Sequence, residues 1–384
     1  MKRPALSALF VFAALAAAPD GLSQTPPAPA QAAPGRAMQA PSAPTRPTGV
    51  VLVPSLERPK GARRLTEKDF GGYLLVYFKD QTQSAYFAIS RDGYTFTDVN
   101  DGQPVFDGTL LAGQKGVRDP HIARGPDGAF YLTMTDLHIF GQRLGYRATQ
   151  WERPQEQYGW GNNRAIVMMK SWDLVHWTHS NIRMDKAFPE MGDISAFWAP
   201  EVMYDEKAGK MMVYFTVRYG PQDECHLYYA YADETFTKLE ANPVRIADTT
   251  GIDGDITQVG DRFHLYYVGG AKVKHAVSSR INQGYEFEDR RIDPESVNTE
   301  GPNVFKRFGT NTYVLMYDVY GLRPSNMGFS ETTDFVTFKN IGRFNEGPMK
   351  TTNFTSPKHG AVTYLTADEL KAAATHWNVN IKLN

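Results

Sequence analysis

Four carboxylates and one imidazole recur at comparable points of a repeating chain. They are Asp119 in Arg118-Asp119-Pro120-His121-Ile122, Glu201 in Trp198-Ala199-Pro200-Glu201-Val202, Asp253 in Ile252-Asp253-Gly254-Asp255, Glu300 in Glu300-Gly301-Pro302 and His359 in Lys358-His359-Gly360. Carboxyl groups gathered in one partly buried pocket repel each other's charge, so their proton affinities spread apart and one can stay protonated while another stays ionised. Cleavage of a glycosidic bond needs such a pair: an acid for the leaving oxygen and a base for water. A third carboxylate beside the acid would keep its proton on. Taken singly, an Asp-Pro or Glu-Gly-Pro step is more often a turn former. The shared place in consecutive repeats is what points to chemistry. Asp255, two residues beyond Asp253, falls on the same face of an alternating strand and could exchange roles with it. His359 suits a hydrogen-bonded core as well as a ligand role.

The elements that would position these residues are strands. Apolar and aromatic runs recur at Tyr73 to Phe78, Phe130 to Met134, Met211 to Phe215, Phe263 to Tyr267 and Tyr313 to Tyr317, and their β-branched and aromatic content favours strand over helix. Each is followed by a second strand and an aromatic-centred third: Ser90 with Phe96, Ser171 with Trp177, Tyr231 with Phe236, Ser278 with Phe287, Ser330 with Phe338. Four units also have a leading strand, starting near Asp119, Glu201, Asp253 and Glu300. The first unit, from about Gly72, lacks one, whereas the chain has a surplus strand at His359 to Tyr364. The surplus matches the deficit. This predicts an all-β fold, a five-bladed β-propeller whose C-terminal strand closes the first blade. A β-sandwich with a second domain is the rival, and it leaves that match unexplained.

Leading strands line a propeller's axis, so their starts would share one mouth. The insertion from Asp136 to Asn163 falls on the same face by strand parity and brings Trp151, Tyr158, Trp160, Arg143 and Arg147, residues suited to walling a pocket. Residues 367 to 375 read as a short helix. With 42% hydrophobic and 22% charged residues the composition is that of a globular protein, and a net charge of -1 offers no basic stripe for nucleic acid. The single cysteine, Cys225, excludes an intrachain disulfide and a thiolate-built zinc site. Lys2 and Arg3 precede an apolar run that is too short to span a membrane, so residues 1-23 read as an export signal and imply a periplasmic or extracellular protein without a membrane anchor. Residues 24-50 carry seven prolines among alanine and glutamine and read as a disordered tether, leaving 51-384 as one catalytic domain.

The four motifs, in this order over residues 70 to 365, resemble glycoside hydrolase family 43. That resemblance implies a five-bladed propeller and an inverting mechanism in which Asp119 is the base, Asp253 the pKa modulator and Glu300 the acid. It makes His359 the axial histidine, beside a water or a structural calcium ion, with no cofactor required. Arg118, His121, Trp198, Glu201, Trp160, Asp255 and Arg323 are the expected substrate contacts. Gly254 departs from the proline that many relatives carry after the modulator, which leaves Asp253 and Asp255 both open for that role. The expected substrate is a carbohydrate: terminal α-L-arabinofuranose first, with β-xylosides and galactofuranosides as alternatives. A carbohydrate-binding propeller without catalysis is the reading from another class. Oligomeric state is not legible.

Overall fold

A computed structural model describes residues 49 to 381 apart from Gln222 and the side chains of 247 to 249. The export signal and nearly all of the expected tether lie outside the described residues. The tether's last residues, Gly49 and Val50, are held in place: the Gly49 carbonyl accepts from His376 Nε2 and Val50 packs on a core.

Five antiparallel sheets form the fold, each with strands a to d from the axis outward. Blade I pairs strand a at Lys358–Thr366 with b at Phe70–Lys79, c at Ser84–Ser90 and d at Thr95–Asp98. Blade II runs Val117–Arg124, Phe130–Asp136, Ala165–Ser171 and His176–Arg183. Blade III has Ala196–Asp205, Lys210–Arg218, Cys225–Tyr231 and Val244–Thr250, and blade IV Ile252–Val259, Arg262–Val268, Val273–Ser278 and Glu286–Glu288. Blade V has Glu300–Lys306, Tyr313–Asp318, Met327–Thr332 and Lys339–Arg343. The fold is therefore a five-bladed β-propeller closed by its C-terminal strand, as the repeat count predicts. Val51–Leu52 and Lys350–Thr351 add short parallel strands outside blades II and I, covering edges that would otherwise offer unpaired backbone.

Strand b of each blade is buried on both faces because a blade is sandwiched between two others, which explains runs such as Tyr73 to Phe78 in place of strict alternation. Five apolar clusters lie at the five blade boundaries. Phe87, Phe106 and Trp177 join I to II, Phe197, Phe215 and Phe236 sit between II and III, and Phe305, Phe329 and Phe354 join V to I. A helix at Ala367–His376, one residue longer than expected, starts in a Thr366/Glu369 capping box and packs Leu370, Ala373 and Ala374 on the I/II core. Two strand expectations are corrected. Phe236 lies in a turn, because blade III closes with the later strand Val244–Thr250, and Phe338 immediately precedes strand d of blade V.

Candidate active site

Each strand a carries an irregularity near its start. Register shifts fall between Arg118 and His121, Trp198 and Glu201, Ile252 and Asp255, Glu300 and Asn303, and Gly360 and Lys358. In each shift one residue takes positive φ: Asp119 (49°), Ala199 (42°), Asp253 (53°), Gly301 (54°) and His359 (22°). Such a bulge re-aims a side chain toward the axis, and the left-handed backbone costs a non-glycine residue of order 1–3 kcal/mol. Gly301 is required for space as well, since a Cβ there would come within 2.5 Å of the His359 ring.

The bulges correct the expected equivalence of five ionisable positions. The ring of equivalent residues is Asp119, Ala199, Asp253, Gly301 and His359. Glu300 lies one residue before the bulge, level with Arg118, Trp198 and Lys358. Glu201 lies two beyond, level with His121, Asp255 and Asn303. The site therefore has an upper and a lower tier.

In the upper tier His359 Nδ1 stands 3.4 Å from Asp119 Oδ1, and the Thr135 hydroxyl donates to Asp119 Oδ2 at 2.8 Å while accepting from the Ala199 N–H. Burial alone would raise the Asp119 carboxyl, but His359, Arg118 and Thr135 outweigh it and hold the group at about 2. Burial works against charging His359, yet Asp119 and the neighbouring carboxylates raise it to about 9. Asp253 accepts from the Gly301 N–H at 3.2 Å, and its own N–H donates to the Thr216 hydroxyl. Burial pushes Asp253 up to about 7; the His359 charge opposes this while Glu300 and Asp119 reinforce it. Arg118 bonds Asp80 at 2.9 Å and lies over the Phe78 ring. Lys358 Nζ stands 3.2 Å from Glu300 Oε1. Thus Asp119, Asp253 and Glu300 come together with Arg118 and His359.

The lower tier is sealed. Glu201 and Asp255 are each 2% exposed and His121 is 8% exposed. Tyr214 donates to Glu201 at 2.9 Å, and Asp255 takes the Asn303 amide and the Val304 N–H. Burial, with Asp255 adding to it, pushes Glu201 well above the usual carboxylate range. The bulge sets His121, Glu201 and Asp255 two residues further along their strands than Asp119 and Asp253, bonded to neighbouring strands. Arg323 is not brought in. It is exposed, and its guanidinium donates to the carbonyls of Tyr320 and Leu322 in its own loop.

The donor sets argue against calcium on His359 and against a metal held by the lower triad. Calcium takes oxygen ligands, and His359, held as an imidazolium by Asp119, has no lone pair to offer. His121, Glu201 and Asp255 place their ligand atoms within 4.8 Å of one another. However, His121 Nδ1 accepts from the Val202 N–H, so the neutral ring carries its proton on Nε2, the nitrogen that faces the two carboxyls at 3.8 and 3.7 Å.

The insertion docks beside the mouth, as strand parity predicts. Trp160 packs edge-on between Trp151 and Trp198, Trp198 Nε1 donates to the Gly161 carbonyl, and Arg218 lies over Trp198 while donating to the Tyr158 and Trp160 carbonyls. Trp151 is buried, whereas Trp160 and Trp198 keep partial exposure. Arg147 is spent on the insertion's own carbonyls and on Gln114, and Arg143 lies over Phe140. Asp80, Thr135, Asp318 and the role of Lys358 escape sequence reasoning. Asp80, Thr135 and Asp318 sit at the ends of b strands, where the signal would have been a polar residue closing an otherwise apolar run.

A family model described as "Probable glycosyl hydrolase domain" matches residues 68–371. An α-L-arabinofuranosidase of Bifidobacterium longum is 26% identical over 164 residues, covering 40% of this chain and only 14% of that protein. Among solved structures, a thermostable family-43 glycoside hydrolase aligns at 17% identity and TM-score 0.47 over 67% of this chain and 82% of that one. A family-43 enzyme from Xanthomonas citri complexed with xylotriose aligns at 15% and 0.44, over 59% and 74%. With the family model spanning all five blades and both tiers of the channel, the chain belongs to the glycosyl hydrolases of family 43 and its relatives.

Proposed function

We propose that the protein is an inverting, exo-acting glycoside hydrolase that releases terminal sugars, α-L-arabinofuranose first, from plant-type polysaccharides or oligosaccharides. One observation carries this reading: two carboxyls of one mouth are driven in opposite directions, Asp119 held ionised and Asp253 pushed up to about 7. Asp119, oriented by Thr135 and His359, takes a proton from water as the water oxygen attacks the anomeric carbon. Glu300 gives its proton to the leaving oxygen as that bond breaks, and Asp253 supplies the charge environment that keeps the acid protonated. Asp253 is preferred over Asp255 as modulator because it stands in the upper tier. The Trp160 and Trp198 surface offers flat apolar faces to a sugar ring, and the docked insertion supports a pocket closed on one side. Acid–base hydrolysis of this kind needs no cofactor. The B. longum relative favours arabinofuranose over xylose; the export signal, on its composition, favours a periplasmic or extracellular site of action.

Hydrolysis of a panel of nitrophenyl furanosides and pyranosides, set beside natural oligosaccharides, tests the reading. Glu300→Ala should abolish turnover of natural substrates while sparing nitrophenyl ones, since a good leaving group needs no proton. Asp119→Ala should lower both by roughly 10²–10⁴-fold. A protein that binds these sugars but hydrolyses none of them is a binding propeller.

A further inference from the structure

Lys358 is drawn into three ion pairs at once. Its ammonium lies 3.2 Å from Glu300 Oε1, 3.4 Å from Asp318 Oδ2 and 3.6 Å from Asp80 Oδ2, on a side chain 8% exposed. Glu300 and Asp318 face each other across strands a and b of blade V, so the ammonium, arriving from blade I, ties the two blades together. Among the described residues, the hydrogen bonds and ion pairs of the Glu300 carboxyl are with Lys358 alone. Asp318 is fully buried, its two oxygens accept no hydrogen bond, and its ion pair is with Lys358.

We propose that Lys358 is a positioning residue for Glu300, fixing the direction of its carboxyl and holding the negative charge left there once the proton has gone to the leaving sugar oxygen. The proposal rests on the reading of Glu300 as the acid. In that step the Glu300 O–H bond breaks, its proton goes to the glycosidic oxygen as the C–O bond cleaves, and the water proton goes to Asp119. Lys358 keeps all of its protons. Asp318 and Asp80 share the ammonium with Glu300 at 3.4 and 3.6 Å. Burial pushes Asp318 up to about 7 against the opposing pull of Lys358, so near neutral pH part of the ammonium's charge remains for Glu300.

The test is a leaving-group comparison in four proteins: wild type, Glu300→Ala, Lys358→Met and the double variant, with thermal melts to check folding. Lys358→Met should repeat the pattern of Glu300→Ala, losing about 100-fold on an alkyl glycoside or oligosaccharide and only a few-fold on the nitrophenyl glycoside. The double variant should be no slower than Glu300→Ala alone, because Lys358 acts through a group already gone. If Lys358→Met does not fold, Lys358→Arg carries the comparison: a displaced charge should slow the poor leaving group selectively and change nothing in the Glu300→Ala background. Equal losses on both substrates, or losses that add in the double variant, overturn the proposal. Should Glu300→Ala itself treat the two substrates alike, the acid assignment fails; if it discriminates and the Lys358 variants do not, only the positioning role falls.

Discussion

Two rings of side chains lie on the same five strands, two residues apart, and do opposite things with their carboxyls. The upper ring opens to the mouth and mixes signs: Asp119 with His359, Asp80 with Arg118, Glu300 with Lys358. The lower ring is sealed and has no fixed cation in contact; its carboxyls are satisfied by Tyr214, Asn303 and backbone N–H groups. Asp119 is held low because His359 and Arg118 reach it, whereas burial and the neighbouring Asp255 push Glu201 upward with only the Tyr214 hydroxyl to oppose them. A cluster of acidic residues in a channel is thus two populations, and burial depth alone does not sort them, because Asp253 is nearly as buried as Glu201.

The largest expected effect separates the tiers by activity. Asp119→Asn should lower kcat/KM by roughly 10²–10⁴-fold on every substrate, while Glu201→Gln stays within a few-fold of wild type. A Glu201→Gln enzyme as crippled as Asp119→Asn would erase the distinction. Next comes stability at Asp253. Its folded value near 7 lies above its ordinary value of 3.8, so the ionised form is disfavoured in the folded state and stability falls as pH rises between them. Asp253→Asn should therefore melt higher than wild type at pH 8, by up to roughly 4 kcal/mol, with the gain vanishing toward pH 4 even as activity is lost. A variant that melts lower at pH 8 would show that the carboxylate is stabilised by its neighbours instead. The smallest effect belongs to Glu201→Gln in calorimetry. An amide replaces a carboxyl whose ionisation burial disfavours, and it still accepts from Tyr214, so stability at pH 6 should change by less than about 1 kcal/mol. A larger loss means that Glu201 is ionised and the lower tier is charged after all.

How much of this was legible follows from the geometry. The five repeats and the strand shared between the chain's two ends are visible because apolar runs and turns survive in pattern. The mouth was found from Asp119, Asp253 and His359, the three ring members with titratable side chains. The other two members, Ala199 and Gly301, carry no chemistry, so the eye slides to the nearest carboxylates, Glu201 and Glu300, and the ring is misaligned by two residues in one blade and by one in another. A β-bulge is set by backbone register, which a single sequence does not display. Asp80, Asp318 and Thr135 were missed for a different reason. Thr135 and Asp318 close the b strands paired with Asp119 and Glu300 in their own blades, and Asp80 reaches Arg118 from the next blade, so each meets the site only through strand pairing or blade packing. Arg323 shows the converse: a guanidinium near the site in sequence can spend its donors on its own loop.

Strand a of blade I, Lys358–Thr366, pairs with Phe70–Lys79 from the other end of the chain. It also carries Lys358 and His359, the two cations that face Glu300 and Asp119. Completion of the circle and completion of the charge pattern are therefore one event. A chain still lacking that strand would leave Arg118 as the remaining cation among the carboxyls at its axis. The same chain would be inert toward sugar under the proposed roles. Recovery of activity during refolding should therefore report closure of the propeller, lagging behind any signal that follows formation of individual blades.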